Sequence, residues 1–226
     1  MLACDQDILR LMSPALGALH VNQVQSRNVS KWFVYLLGRG QSHGSIKRYR
    51  ASLSSSFTWC IEETHIATNP VTGTKLPSQT TPPSQMRPFT EEELKEAWQN
   101  WRQHSSRLAD VMLIAGWTGL RWGELRALTV SDFIQMPGPA LIVPKSHSEG
   151  GATKPTESYE TRRVPLANRI LPSARALAAN RDAGAVLFTG ESGGQLWRSS
   201  VIRSLDWPSN SAGRRIHDLR YTAACL

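Results

Sequence analysis

The chain has 226 residues, with 26 Lys and Arg against 18 Asp and Glu for a formal net charge of +8. At 40% hydrophobic and 19% charged residues the composition excludes disordered and fibrous classes. A chain this long buries about 70% of its unfolded surface and needs no disulfide or metal staple. No apolar run approaches a membrane span, and the first residues lack the basic-then-apolar pattern of a secretory leader. Three cysteines (Cys4, Cys60 and Cys225), odd in number and unclustered, read as reduced thiols, so a cytoplasmic protein is expected.

The early part of the chain is basic. No acidic residue occurs between Ile8 and Ile61, whereas Arg10, Arg27, Lys31, Arg39, Lys47, Arg48 and Arg50 do. An acid-free basic stretch is an electrostatic footprint for a polyanion, although a solvated basic surface would look the same. Val29 to Leu37 carries Trp32, Phe33, Leu36 and Leu37 at helical spacing, with Gly38 and Gly40 able to stop it. Ser42 can cap a second helix whose stripe is Ile46, Tyr49, Leu53, Phe57, Cys60 and Ile61. Between the first stripe members lie Lys47, Arg48 and Arg50, with Ser45 near the start; this basic face suits a major groove. Asn69-Pro70 ends the segment.

Residues 74–87 are rich in Pro, Ser, Thr and Gln and read as an extended linker between a helical domain, 1–73, and a second domain, 88–226. The second opens on a capping box, Thr90-Glu-Glu-Glu93, with Leu94, Trp98 and Trp101 on one helical face. Leu108 to Trp117 predicts an apolar helix ending at Gly119, and Arg121 to Leu128 a short amphipathic one. Ala140–Val143 and Thr161–Leu166 read as strands joined by a long polar loop. Helices are predicted over Ile170–Ala179, Ser199–Leu205 and His217–Leu226. The fold class is mainly α with a small antiparallel sheet.

Three elements carry chemistry. In Thr118-Gly-Leu-Arg-Trp-Gly-Glu-Leu, Gly119 would end one helix and present Arg121 at the start of the next, where terminal amides also favour an anion. Glu124, three residues on, is placed to orient that arginine. In Ile216-His-Asp-Leu-Arg220, His217 and Arg220 at i and i+3 can reach one phosphate, the arginine as a fixed charge and the histidine as a proton-exchanging group. Lys154, in the polar loop before Thr161-Arg-Arg-Val-Pro-Leu166, can swing to a leaving oxygen, or be a solvated loop lysine, with Lys145 as the fallback.

In this order these motifs resemble the tyrosine recombinase (phage integrase) family. Ser45-Ile-Lys-Arg-Tyr-Arg and Asn69-Pro-Val are similar to that family's helical core-DNA-binding domain, and Arg87-Pro-Phe-Thr-Glu-Glu-Glu-Leu94 to the start of its α+β catalytic domain. The resemblance implies site-specific recombination of double-stranded DNA at core-type attachment sites, through a 3′-phosphotyrosyl link, with neither metal nor cofactor. It implies phosphate-clamping roles for Arg121 and Arg220, proton transfer for His217, a general acid for Lys154 and support of Arg121 for Glu124. It also implies a homotetramer on DNA and a phage or prophage origin in a bacterial host.

One part of the pattern is missing. The family's attacking tyrosine lies well past His-Asp-Leu-Arg, and this sequence holds six residues after Arg220 and only Tyr35, Tyr49, Tyr159 and Tyr221. Tyr221 stands about 100° round a helix from Arg220, so no nucleophile is assigned. The expectation is a C-terminally incomplete catalytic domain, monomeric in solution, that binds DNA and does not cut it. The alternative is a non-catalytic DNA-binding protein on a recombinase scaffold; a type IB topoisomerase-like enzyme is a third reading.

Overall fold

A computed structural model describes residues 3–78, 85–147, 149, 151, 153–155 and 161–226. The chain divides into two compact units, Met1–Ser84 and Gln85–Leu226.

The first unit is helical. Helix α1 spans Ala3–Leu16, a 3₁₀ turn covers Val21–Gln23, and α2 (Ser26–Gly38) and α3 (His43–Glu62) follow. The pattern from Val29 onward marks α2, but α1 has no counterpart in the predicted elements. It contains Pro14, a residue that ordinarily argues against a helix interior. Val29, Trp32, Phe33 and Leu36 of α2 are buried against Ile46, Tyr49, Leu53 and Phe57 of α3, and the Trp32 indole N–H donates to the Leu11 carbonyl at 3.0 Å. Cys60 and Ile61 are half-buried, so the expected stripe fades near the end of α3. Asn69 explains why the helix is followed by a tight return: its Nδ2 donates to the Ser54 carbonyl at 2.9 Å while its Oδ1 accepts the Val71 N–H at 2.9 Å. This core continues beyond residue 73, because Thr74 is buried and Leu76 packs on it. Of the expected linker, residues 79–84 lie outside the described residues.

The second unit is α+β. Helices α4 (Glu91–His104) and α5 (Ser106–Thr118) pack side by side, and α6 (Trp122–Ala127) follows after a sharp turn. Thr90 and Glu93 form the reciprocal capping box read from the sequence, with Oγ1 accepting the Glu93 N–H at 3.2 Å and Oε2 accepting the Thr90 N–H at 2.8 Å. Strands β1 (Phe133–Ile134), β2 (Ala140–Val143) and β5 (Arg162–Pro165) form one antiparallel sheet in the order β1-β2-β5, with Val143 opposite Arg162. The polar connection between β2 and β5 is not simply a loop. Lys145–His147 (β3) pairs antiparallel with Thr153–Pro155 (β4), so Lys145 opens a separate hairpin rather than ending β2. Both strands are three residues long, too short to show alternation. Helices α7 (Leu171–Ala178), α8 (Arg198–Ser204), α9 (Trp207–Asn210) and α10 (Asp218–Thr222) complete the unit. The last is shorter than the expected His217–Leu226, because residues after Thr222 close turns in which Cys225 and Leu226 both bond the Thr222 carbonyl. Among the described residues no helix is long and apolar enough to cross a membrane.

Candidate active site

The site is built on the turn between α5 and α6. Gly119 adopts φ +62°, the left-handed conformation in which a Cβ is strained. A Cβ added there would also approach the Ala223 Cβ to 3.0 Å and the Arg220 carbonyl to 3.4 Å. Glycine at this position therefore serves both the helix stop and the close approach of the C-terminal helix. Gly119→Ala is expected to cost about 1–2 kcal/mol from the left-handed strain alone, read as a lower urea midpoint; an unchanged midpoint would show that the turn can relax.

That close approach joins the two arginine motifs. Arg220 donates from a guanidinium NH to the Gly119 carbonyl at 2.6 Å, across 101 residues of sequence. Helix α10 is fixed from its other side by Thr222, whose hydroxyl accepts the Phe89 N–H at 3.0 Å and donates to the Asp218 carbonyl at 3.1 Å. Asp218 is buried at 2% exposure and takes a fork from Arg215, at 2.7 Å to Oδ1 and 3.2 Å to Oδ2. Burial alone would raise the Asp218 carboxyl; the Arg215 hydrogen bonds outweigh it and hold it below its ordinary 3.8. His217 is exposed and precedes the helix, its ring standing edge-on to Tyr221 at 5.3 Å. His217 and Arg220 thus make different contacts, one at a ring and one at a carbonyl.

Arg121 is the residue before α6, extended at φ −65° and ψ 149°. Its amide donates to Glu124 Oε2 at 2.7 Å, while the guanidinium reaches Oε1 at 3.2 Å. Glu124 does touch Arg121, as predicted, but it has a second partner the sequence did not disclose. Arg162 of β5 donates to both carboxylate oxygens, at 2.9 Å to Oε1 and 2.7 Å to Oε2. Glu124 is 1% exposed. Its burial pushes the carboxyl up, and the bonds from Arg162 and Arg121 overcome this and hold it below its ordinary 4.5.

The β3–β4 hairpin is backed by α6. A Cβ on Gly123 would stand 2.5 Å from Ser146 Oγ and 3.3 Å from the His147 carbonyl, so glycine there permits strand and helix to touch. Arg126 is fully buried; its Nε donates to the Leu196 carbonyl at 2.7 Å and an NH to the His147 carbonyl at 3.0 Å. Burial without a hydrogen-bonded carboxylate draws the pKa of this arginine down. Glu149 adds a latch, accepting the Trp122 indole N–H at 2.9 Å and the Arg198 amide at 2.6 Å. Lys154 lies on β4 opposite Ser146, and Lys145 opposite Pro155. The register therefore sets Lys154 across from the residue that meets Gly123 of α6.

In the first unit Ser42 caps α3, its Oγ accepting the Ser45 N–H at 3.1 Å, and the two serine hydroxyls stand 3.0 Å apart. Lys47 and Arg48 are exposed, as the basic face requires. Arg50 departs from it: the side chain is half-buried, and its Nε is buried with no hydrogen-bond partner among the described residues. The helix turn that points Ile46 and Tyr49 inward carries Arg50 to the edge of the core rather than to the outer face. Of the tyrosines, Tyr49 is buried and Tyr35 partly exposed; Tyr159 lies outside the described residues.

No protein-family model matches the chain. In sequence it is 26% identical, over 92% of its length, to a tyrosine recombinase XerC-like protein of Caldanaerobacter subterraneus subsp. tengcongensis. It spans 61% of that relative's length. In structure it matches the Tn1549 transposon integrase in complex with a circular intermediate DNA, with a TM-score of 0.81 at 19% identity, covering 96% of this chain and 77% of that one. It also matches a lambda integrase dimer bound to a COC′ core site, with a TM-score of 0.74 at 18% identity over 98% of this chain and 80% of that one. The integrase fold is common to both matches, and the order of the arginine motifs and the sequence relative agree with it. The chain thus has the integrase fold and is similar in sequence to a tyrosine recombinase XerC-like protein.

Proposed function

We propose that the chain serves site-specific DNA recombination of the phage-integrase type. In this reading residues 1–73 bind double-stranded DNA at core-type sites and residues 88–226 hold the scissile phosphate. The observation that carries it is the Arg220 bond to Gly119, which ties the Arg121 turn to the His217–Arg220 segment. Two guanidiniums held by backbone and carboxylate partners are preorganised to balance charge developing on phosphoryl oxygens. Lys154 protonates the 5′-oxygen as it leaves and His217 assists proton transfer, each group differing in how readily it gives up a proton. Glu124 supports Arg121. The XerC-like relative is bacterial by its source, and we place this activity in the bacterial cytoplasm.

None of the four tyrosines is assigned the attack on phosphorus. Tyr221 is engaged edge-on with His217 and Tyr49 is in the core. These 226 residues accordingly bind DNA as a monomer without cutting it, while the whole protein recombines as a tetramer on DNA; one matched structure is a lambda integrase tetramer bound to a Holliday junction. Incubation with nicked duplex followed by denaturing electrophoresis should give no covalent complex. An adduct abolished by Tyr221→Phe would reassign the nucleophile.

The DNA-binding role of α3 has its own test. Lys47→Ala and Arg48→Ala are each expected to weaken duplex binding and to reduce the slope of log affinity against log salt by about one unit per lost phosphate contact. An unchanged slope in both would remove this helix from the DNA. A non-catalytic DNA-binding protein would show the same slopes, but would not depend on the phosphate contacts of Arg121 and Arg220.

A further inference from the structure

Trp197, the residue before α8, is 47% exposed, and Arg198 after it is exposed as well. A single exposed aromatic calls for no explanation, but this one is braced from beneath. The Arg126 guanidinium lies 5.2 Å from its ring centroid, and because Arg126 is fully buried that cation occupies the inner side of the ring. The backbone on either side is tied down. The Leu196 carbonyl accepts the Arg126 Nε–H at 2.7 Å, the Gln195 side chain donates to the Arg126 carbonyl at 2.8 Å, and the Arg198 amide donates to Glu149 at 2.6 Å. The Arg198 guanidinium in turn covers the Trp122 ring at 5.6 Å, and Trp122 directly follows Arg121. Two indole–guanidinium pairs thus stand next to the α5–α6 turn, with the outer side of Trp197 left to solvent.

From this arrangement we propose that Trp197 is a stacking platform for an unpaired DNA base. The inference rests on the proposed function, because exchanging strands requires bases next to a cut to leave one complement and pair with another. A base taken out of the duplex loses its stacking, and a flat indole restores it whichever base arrives. Arg198, exposed at the next position, can meet a phosphate flanking that base. Behind the ring, the hydrogen bonds described for Arg126 go to the Leu196 and His147 carbonyls, and Glu149 acts on it only through space, so positive charge persists beneath the platform. The ties on residues 195, 196 and 198 hold the ring in place before a base arrives, which lowers the entropy lost on binding. A side chain that served only to cover Arg126 would need apolar bulk and no π face.

The test compares the affinity of the 226-residue chain for a duplex, a single-stranded oligothymidylate and an abasic strand of the same length, which carries the phosphates without bases. The unmodified chain should bind the duplex, and should bind oligothymidylate about tenfold more tightly than the abasic strand, the scale of one base stacked on one aromatic ring. Trp197→Ala should bring the two single strands to equal affinity. Trp197→Leu, which still covers Arg126, should do the same, whereas Trp197→Phe, which keeps a π face, should retain part of the preference. A preference that persists in the alanine or leucine variant, a phenylalanine variant no better than leucine, or duplex binding with no preference in the unmodified chain overturns the platform and leaves the DNA-binding reading standing. Binding of none of the three probes overturns that reading, and the platform with it. Should Trp197→Ala not fold, the leucine and phenylalanine variants carry the same comparison.

Discussion

Trp101→Ala is expected to destabilise the second unit by about 3–5 kcal/mol, the range for removing a fully buried large aromatic. Trp101 is 0% exposed, stacked on Trp207 with centroids 4.7 Å apart and rings 14° from parallel, and met edge-on by Phe89 at 6.1 Å. The three rings tie the start of the unit and α4 to α9, so the lost contacts cannot be replaced by local collapse of one helix. The indole N–H is buried with no partner among the described residues, which lowers the net contribution of the side chain. Trp101→Phe keeps most of the ring area and discards that donor, and should cost under about half as much. Urea unfolding of both variants gives the comparison. Equal losses would mean that the indole donor is satisfied in solution; a loss under about 1 kcal/mol for alanine would mean that the ring stack is not a structural centre.

The second large effect is the response to acid and its dependence on Glu124. Glu124, Asp218 and Glu93 all have folded-state carboxyls held below their ordinary values, 4.5 for the glutamates and 3.8 for the aspartate. For Glu93 the Thr90 amide is the first cause and the Arg214 side chain the second. A carboxyl whose pKa is lower folded than unfolded leaves the unfolded chain binding more protons over the interval between the two. Stability should thus be fully present above about pH 4.5, decline as pH falls below that value, and be lost once the folded carboxyls protonate. Glu124→Gln should flatten this decline and lower stability at pH 7 by about 2–3 kcal/mol, the worth of hydrogen bonds to a charged group. The cost stays below that of orphaning a buried ion, since Arg121 and Arg162 have side chains 43% and 38% exposed and can rehydrate. Urea midpoints from pH 3 to 7 check both expectations; stability that rises on acidification would show these groups buried in their neutral form.

Local signals were legible in the sequence because their causes are local. Thr90 with Glu93, Gly119 after an apolar helix, and the stripe from Ile46 to Phe57 each act within a few residues, and each has the expected structure. What could not be read depended on partners far along the chain. Glu124 was paired with its neighbour Arg121, since spacing says nothing about Arg162, 38 residues on. The Arg162-Arg163 pair read only as a strand entry, although alternation sends one arginine to Glu124 and the other to the Gly138 carbonyl. The hairpin holding Lys154 gave no pattern because three-residue strands cannot show one, and Arg50 was misplaced because one helical position separates the outer face from the margin of the core.

The bond from Arg220 to Gly119 spans 101 residues, and that from Phe89 to Thr222 spans 133. A ribosome delivers the chain from its first residue, and domains generally fold in that order. In the proposed reading, the helical unit with its basic α3 can form, and meet DNA, while the second unit still lacks Arg220. Only when α10 emerges does the remote pairing close, after the entropy of a long loop has been overcome. On that reading, synthesis itself places grip on the duplex before any hold on its phosphorus.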